Sequence, residues 1–138
     1  MRRELIALLS LALLVAGCAT VPPAAVTGRW TGTWSGHGVN DVARDEPITL
    51  DLTQSGEGGM GRLVMNGTAA SESVPIAVRD AAMTGVRVWF AVSGSELWLE
   101  HELGRQFFAA KAVVRGRRMQ GRILDTRPEI RFELTREP

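Results

Sequence analysis

Apolar and polar residues alternate one by one along most of the chain that follows residue 27. The clearest segments are residues 86–92, which read VRVWFAV, and residues 48–54, which read ITLDLTQ. Successive side chains of a strand point to opposite faces, so a period of two predicts strands with one buried face. Eight segments carry the pattern, namely residues 28–36, 48–54, 61–66, 86–92, 95–103, 106–114, 118–124 and 129–136. A weaker ninth candidate covers residues 73–78, where Pro75 indicates an edge strand.

Turn signals separate these segments, and no amphipathic helical pattern follows residue 27. Residues 55–59, the pair 66–67 and residues 125–128 are typical turns, and the polar residues 37–46 predict a loop. Regular short strands joined by turns predict an all-β fold, either a sandwich or an up-and-down antiparallel barrel. We interpret the pattern as a barrel of about eight strands.

The strongest predicted hairpin turns at residues 93–94. A two-residue turn there pairs Phe90 with Leu97 on one face and Trp89 with Trp98 on the other. Residues of similar character then share each face of the hairpin, which supports this register. If the aliphatic face fills the barrel, both indoles lie outside. They then form either a stabilising cross-strand pair or a patch for a partner or a membrane surface.

Residues 27–32, which read TGRWTG, resemble the first strand of avidin-type barrels, and Gly28-Arg29-Trp30 also resembles the Gly-x-Trp opening of lipocalins. Both families are meander barrels with a ligand cavity, so the resemblance implies that fold and such a cavity. Small avidin-like barrels also include bacterial protease inhibitors. The avidin biotin site needs an Asn two residues after the Trp, and a Tyr. In this chain Gly32 occupies the position of that Asn, and the sequence contains no Tyr, so the resemblance does not imply biotin binding.

The first residues have the anatomy of a secretory signal, with a basic start and an apolar run over residues 5–16. The run is shorter than the roughly 20 residues of a membrane-spanning helix. Residues 15–17 read VAG directly before Cys18, and this stretch resembles the lipobox of bacterial lipoproteins. The resemblance implies cleavage after residue 17 and a diacylglycerol on Cys18, which holds the protein on a membrane.

We therefore divide the chain into a helical signal peptide (1–17), a lipidated Cys18 with a short tether (18–27) and a β-barrel domain (28–138). The residue after the cysteine is Ala19. In well-studied Gram-negative systems, an Asp at that position favours retention of a lipoprotein in the inner membrane. The resemblance thus points to the outer membrane. The predicted location is the bacterial cell envelope, with the domain facing the periplasm.

Composition and motifs exclude several function classes. Removal of residues 1–17 takes away two arginines and one glutamate, so the formal charge falls from +1 to zero. A neutral domain does not point to nucleic acid as a partner. His37 and His101 are far apart, and no cluster of residues has the spacing of metal ligands. No nucleophile motif or phosphate loop occurs, so we predict no enzyme, no metal and no cofactor.

The first function hypothesis is a binding module for a small or extended apolar ligand inside a hollow barrel. The expected inward face holds Val88, Phe90, Leu97, Leu99, Ile123, Ile130 and Phe132. Gly32, Gly61 and Gly121 are expected to leave room between these side chains. The candidate ligand contacts are Trp30, Phe90, Leu99 and His101. The alternative for His101 is a half-buried side chain near the barrel end with partners of its own.

The second hypothesis is a protein-interaction module, either an inhibitor or an envelope assembly partner, with a filled barrel. Its candidate surface residues are Trp89, Trp98, Arg118, Arg122 and Arg131. In the register that matches the aliphatic faces of the last two segments, Arg122 lies opposite Arg131. Opposed like charges destabilise a strand pair unless a counter-charge lies between them. The counter-charge comes from Glu129, from Glu133 or from an external anion. The simpler alternative is that these arginines form a basic face exposed to solvent.

Overall fold

The computed structural model describes residues 21–37, 43–65, 85–126 and 129–138. The predicted signal peptide, Cys18, the turn at 66–67 and the weak strand at 73–78 lie outside the described residues. The regular elements of the described part are strands, and this part holds no helix with the length and apolar character needed to cross a membrane.

Eight antiparallel strands form a closed barrel in which each strand pairs with the next and the last pairs with the first. The strands are β1 (Gly28–His37), β2 (Ala43–Ser55), β3 (Gly58–Met65), β4 (Val86–Ser93), β5 (Glu96–His101), β6 (Ala109–Arg115), β7 (Arg118–Ile123) and β8 (Ile130–Arg136). The all-β, up-and-down barrel predicted from the alternation is confirmed.

Burial follows the period of two. Every second residue of β4 is buried, and β8 repeats the pattern. The side chains predicted to face inward are all buried, namely Val88, Phe90, Leu97, Leu99, Ile123, Ile130 and Phe132. Trp30 and Trp34 of β1 join the same core. Burial of this continuous apolar face stabilises the barrel, since removal of apolar surface from water is the dominant favourable contribution to folding.

The register of the β4–β5 hairpin differs from the prediction by two residues. Phe90 lies opposite Leu99, and Trp98 lies opposite Ala91. The turn consists of residues 94–95, in which only Gly94 has a positive φ, of 57°. This is the pattern of a type II′ turn, whose twist suits a two-residue hairpin. A shift of two residues keeps every side chain on its face, so both indoles still point outward.

Several strand boundaries also differ from the prediction, among them the starts of β3 at Gly58 and β6 at Ala109. Residues 43–46 belong to β2 and not to a loop, and β5 ends at His101. Beyond β5 the chain turns sharply, because the Gly104 N–H donates to the His101 carbonyl at 2.9 Å and Gly104 has a φ of 123°. Leu103, predicted in the strand, is 67% exposed in this turn.

The described side chains of the barrel interior are packed against one another, whereas a hollow lumen was expected. The void between these side chains measures about 10 Å³, room for at most one water molecule. Gly121 lies directly opposite Phe132, and the Phe132 ring occupies the space that the glycine leaves. Phe90 fills the space opposite Gly59 in the same way. At Gly32 the space is taken by the Glu133 backbone, and at Gly61 by the Asp51 carbonyl and the Leu52 side chain, so these glycines allow close packing of neighbouring strands.

Part of the predicted tether packs against one end of the barrel. The Ala24 N–H donates to the Gly94 carbonyl at 2.8 Å, and the Val26 N–H donates to Gln54 Oε1 at 2.8 Å. Val26 is fully buried, and its carbonyl accepts a hydrogen bond from Trp30 Nε1 at 2.9 Å. We call this the tether end; it also carries the β2–β3, β4–β5 and β6–β7 turns.

Candidate functional site

Three of the four predicted lumen contacts are core residues. Trp30, Phe90 and Leu99 are buried, and Leu99 lines the small void. Trp30 lies at the tether end beneath Val26, which agrees with its predicted position at the barrel bottom. The void that Leu99 lines measures about 10 Å³, so the described structure shows no ligand-sized space beside it.

His101 lies half-buried at the end of the barrel opposite the tether end. Its Nδ1 accepts a hydrogen bond from the Leu103 N–H at 3.0 Å, and its ring centroid lies 5.6 Å from that of Phe107. These contacts stabilise the turn after β5. Within the described residues no group of three or more His, Cys, Asp or Glu could hold a metal ion.

The outside of the barrel carries a groove of about 670 Å³, which we call the outer groove. Its floor is one row of directly paired residues that crosses the five strands β4 to β8, in the order Ala91, Trp98, Lys111, Arg122 and Arg131. Val113 and Gln120 lie beside this row, Glu57 and Glu96 line the groove near the tether end, and Glu129 lies beside the arginines. Its volume falls in the range of ligand pockets.

Trp98 provides the largest apolar surface of the groove. The guanidinium of Arg105 lies 4.8 Å from its ring centroid, and the Lys111 Nζ lies 5.1 Å from it. Cations at these distances over an indole are held by attraction to the ring. Ala91 and Val113 are exposed next to this ring, so a continuous apolar strip lies between charged groups.

Two arginines and one glutamate form the basic end of the groove. Arg122 lies opposite Arg131, as the sequence predicted. Glu129 bridges them, with carboxylate oxygens 3.3 Å from Arg122 Nη1 and 2.9 Å from Arg131 Nε. The hydrogen bond from Arg131, followed by that from Arg122, holds the pKa of the Glu129 carboxyl below its ordinary value. The three groups together keep one positive charge.

Replacement of Glu129 by glutamine is expected to lower the melting temperature at neutral pH, because Arg122 and Arg131 then face each other without a counter-charge. The lowered folded-state pKa of Glu129 means that its stabilisation is present above the unfolded-state pKa and is lost as pH falls through the folded-state pKa. The melting temperatures of the variant and wild type should therefore converge as the pH falls through that folded-state pKa. A Glu133→Gln control on the same strand should show a smaller effect. Equal melting temperatures at neutral pH would contradict the bridging role.

Only part of the predicted interaction surface is brought together. Trp98, Arg122 and Arg131 share the outer groove, whereas Trp89 and Arg118 lie outside it. Trp89 is 46% exposed and lies opposite Met60 on β3, so it forms a separate apolar spot.

The sequence analysis missed several groove residues, among them Ala91, Lys111 and Val113. Alternation does place all three on the outer face. Their common row, however, becomes visible only when the register of each adjacent strand pair is known.

Comparisons of the chain with family models, curated proteins and solved structures find no match.

Proposed function

We propose that this protein is a lipid-anchored binding module of the bacterial cell envelope that binds an extended segment of a partner protein in its outer groove. The observation that carries the proposal is the contrast between a filled interior, with a void of about 10 Å³, and a groove of about 670 Å³ outside. The apolar run before Cys18 and the lipobox-like residues support the anchor. The proposal involves binding and no catalytic step.

The lining of the groove favours a peptide over a purely apolar molecule. Trp98 and Val113 provide an apolar strip, but Lys111, Gln120 and Arg122 beside it would lose water without gaining partners under an apolar ligand. A peptide supplies carbonyls and carboxylates for such groups. Aromatic and arginine side chains are also enriched among the residues that contribute most to protein interfaces.

The charges of the groove give the segment a direction. Glu57 and Glu96 line the part of the groove near the tether end, whereas Arg122 and Arg131 line its opposite part. The floor spans four gaps between strands of about 4.8 Å, or about 19 Å in all, which suits about six extended residues. The proposed segment therefore has an apolar centre, an acidic residue over the arginines and a basic residue towards Glu57 and Glu96.

Fluorescence anisotropy with labelled peptides tests this proposal. Peptides of about six residues with an apolar centre should bind when the acidic and basic ends are ordered as proposed. The Trp98→Ala variant is expected to weaken binding by roughly 30-fold, as for a central interface residue, and Arg122→Gln by roughly tenfold. Binding to peptides with the charges exchanged should be similarly weak.

The matched control is Trp89→Ala, which removes an exposed indole outside the groove and should leave affinity unchanged. Equal losses from the two tryptophan substitutions, or no preference for charge order, would overturn the proposal. Saturable binding of an uncharged apolar dye in place of any peptide would instead favour a small-ligand module.

A further inference from the structure

Three arginines without an acidic partner lie at the β6–β7 turn. Arg115 lies directly opposite Arg118, and Arg117 lies between them in the turn. All three are exposed. Like charges opposed across a strand pair destabilise it unless a counter-charge is present. No acidic side chain of the described residues forms an ion pair with these arginines.

Another opposed arginine pair, Arg122 and Arg131, has a counter-charge that this turn lacks. There Glu129 lies within 3.3 Å of both guanidinium groups. At the β6–β7 turn the acidic candidate is Glu133, which lines the same shallow depression as Arg118. Its carboxylate accepts a hydrogen bond from Gln120 instead, at 3.3 Å. Arg122 and Arg131 thus share a counter-charge within the chain, whereas Arg115 and Arg118 are open to an external anion.

The position of the open pair indicates which anion it meets. The β6–β7 turn lies at the tether end, and Arg117 is held there because its Nη2 donates to the Arg136 carbonyl at 2.7 Å. Arg136 in turn donates through Nη1 to the Ala25 carbonyl at 3.0 Å. The arginine turn is therefore linked to the docked tether by consecutive hydrogen bonds.

The chain between Cys18 and the docked residues is short. Ala24 is held by the Gly94 carbonyl, and six residue steps separate it from Cys18. A fully extended chain of that length spans about 20 Å. A lipid on Cys18 thus keeps the tether end of the barrel at the membrane surface, while the opposite end, with Leu103 and Phe107, points away.

We infer that the β6–β7 turn docks on the membrane and that Arg115 and Arg118 bind the phosphate groups of anionic phospholipids. Guanidinium groups form charge-assisted, often bidentate hydrogen bonds with phosphate. The acidic residues of this end are Glu57 in the β2–β3 turn, Glu96 at the start of β5 and Glu137 after β8. The β6–β7 turn holds arginines and no acidic residue, so the barrel lies with this turn against the lipid. This inference rests on the lipid anchor proposed above, and not on the partner of the groove.

The test uses the mature lipoprotein in phosphatidylcholine vesicles with and without phosphatidylglycerol. A fluorophore is attached either to Ser95→Cys or to Leu103→Cys, and a quencher is attached to lipid headgroups. Ser95 lies next to the arginine turn, since its carbonyl accepts a hydrogen bond from the Val114 N–H at 2.8 Å. Quenching should be strong at residue 95 and weak at residue 103 in the anionic vesicles.

The double variant Arg115→Gln, Arg118→Gln should reduce quenching at residue 95 by roughly half in anionic vesicles and leave it unchanged in neutral ones. Arg87→Gln, which removes an exposed charge far from this end, is the matched control. Equal quenching at residues 95 and 103, or no dependence on anionic lipid, would overturn the inference.

Two further arms separate the causes of a failure. If the wild type binds vesicles no better than the Cys18→Ser variant, the proposed lipid anchor and this inference are both wrong. Peptide binding in the groove is measured independently of this result. If inorganic phosphate raises the melting temperature of the wild type and not of the double variant, and vesicle composition has no effect, the site binds free anion and the lipid assignment is overturned.

Discussion

Replacement of Leu99 by tryptophan is expected to lower the free energy of unfolding by about 3 kcal/mol, because the packed interior has no room for the larger ring. Leu99 is buried, and the void that it lines measures about 10 Å³. The indole must displace neighbours such as Phe132 or push strands apart. Urea denaturation followed by circular dichroism measures the change.

The control for this substitution is Thr135→Trp, which places the same indole at an exposed outer position of β8. It should change the free energy of unfolding by less than about 0.5 kcal/mol. A Leu99→Trp barrel as stable as the wild type would mean that the lumen is hollow, and the apolar-ligand hypothesis would then regain its basis.

The face on which each residue lies was predictable from the sequence, because the pleat of a strand imposes a period of two. Val88 and Phe90 fall inside and Trp89 outside whichever residues they pair with. The alternating segments predicted either a sandwich or a barrel, and the structure confirms the barrel interpretation. Closure depends on the pairing of β1 with β8, two strands that are distant in sequence.

Register was less predictable, because a shift of two residues changes every partner without moving a side chain to the other face. Phe90 lies opposite Leu99 where the sequence predicted Leu97, yet all three are buried. The choice depends on the turn, and it follows from the positive φ of Gly94. Alternation does not distinguish a turn at residues 93–94 from one at 94–95.

The filled lumen and the outer groove both depend on register, so the sequence left the lumen open between hollow and filled and did not predict the groove. A glycine has no side chain, but the residue opposite it determines whether the space beside the glycine stays empty. The Phe132 ring occupies the space beside Gly121. The groove floor combines residues from five strands, and one register error of two residues, such as Trp98 opposite Trp89, removes Ala91 from the row.

The bridged arginine pair was predictable because two independent signals agreed. Equal spacing of the aliphatic residues in β7 and β8 set Ile123 opposite Ile130, and so Arg122 opposite Arg131. Electrostatics then required a counter-charge, which Glu129 supplies. By contrast, docking of the tether had no sequence signal, because the hydrogen bonds of Ala24 go to backbone and amide groups distant in sequence.

Replacement of Trp30 by alanine is expected to lower the free energy of unfolding by about 4 kcal/mol, because a fully buried indole leaves a large cavity at the tether end. The ring also lies 5.2 Å from the guanidinium carbon of Arg136 and donates to the Val26 carbonyl. Urea denaturation measures the loss. Thr33→Ala, an exposed position of the same strand, should stay within about 0.5 kcal/mol of the wild type.

The milder Trp30→Phe substitution separates packing from docking. It keeps most of the ring but removes the indole N–H, so the buried Val26 carbonyl loses its hydrogen-bond donor. An unpaired buried carbonyl costs about 1–3 kcal/mol, and the tether is the segment that can move to avoid this cost. Limited proteolysis should therefore cut the phenylalanine variant near residues 24–27 under conditions in which the wild type and Thr33→Ala stay intact. A variant that resists cleavage there as the wild type does would show that this hydrogen bond does not hold the tether on the barrel.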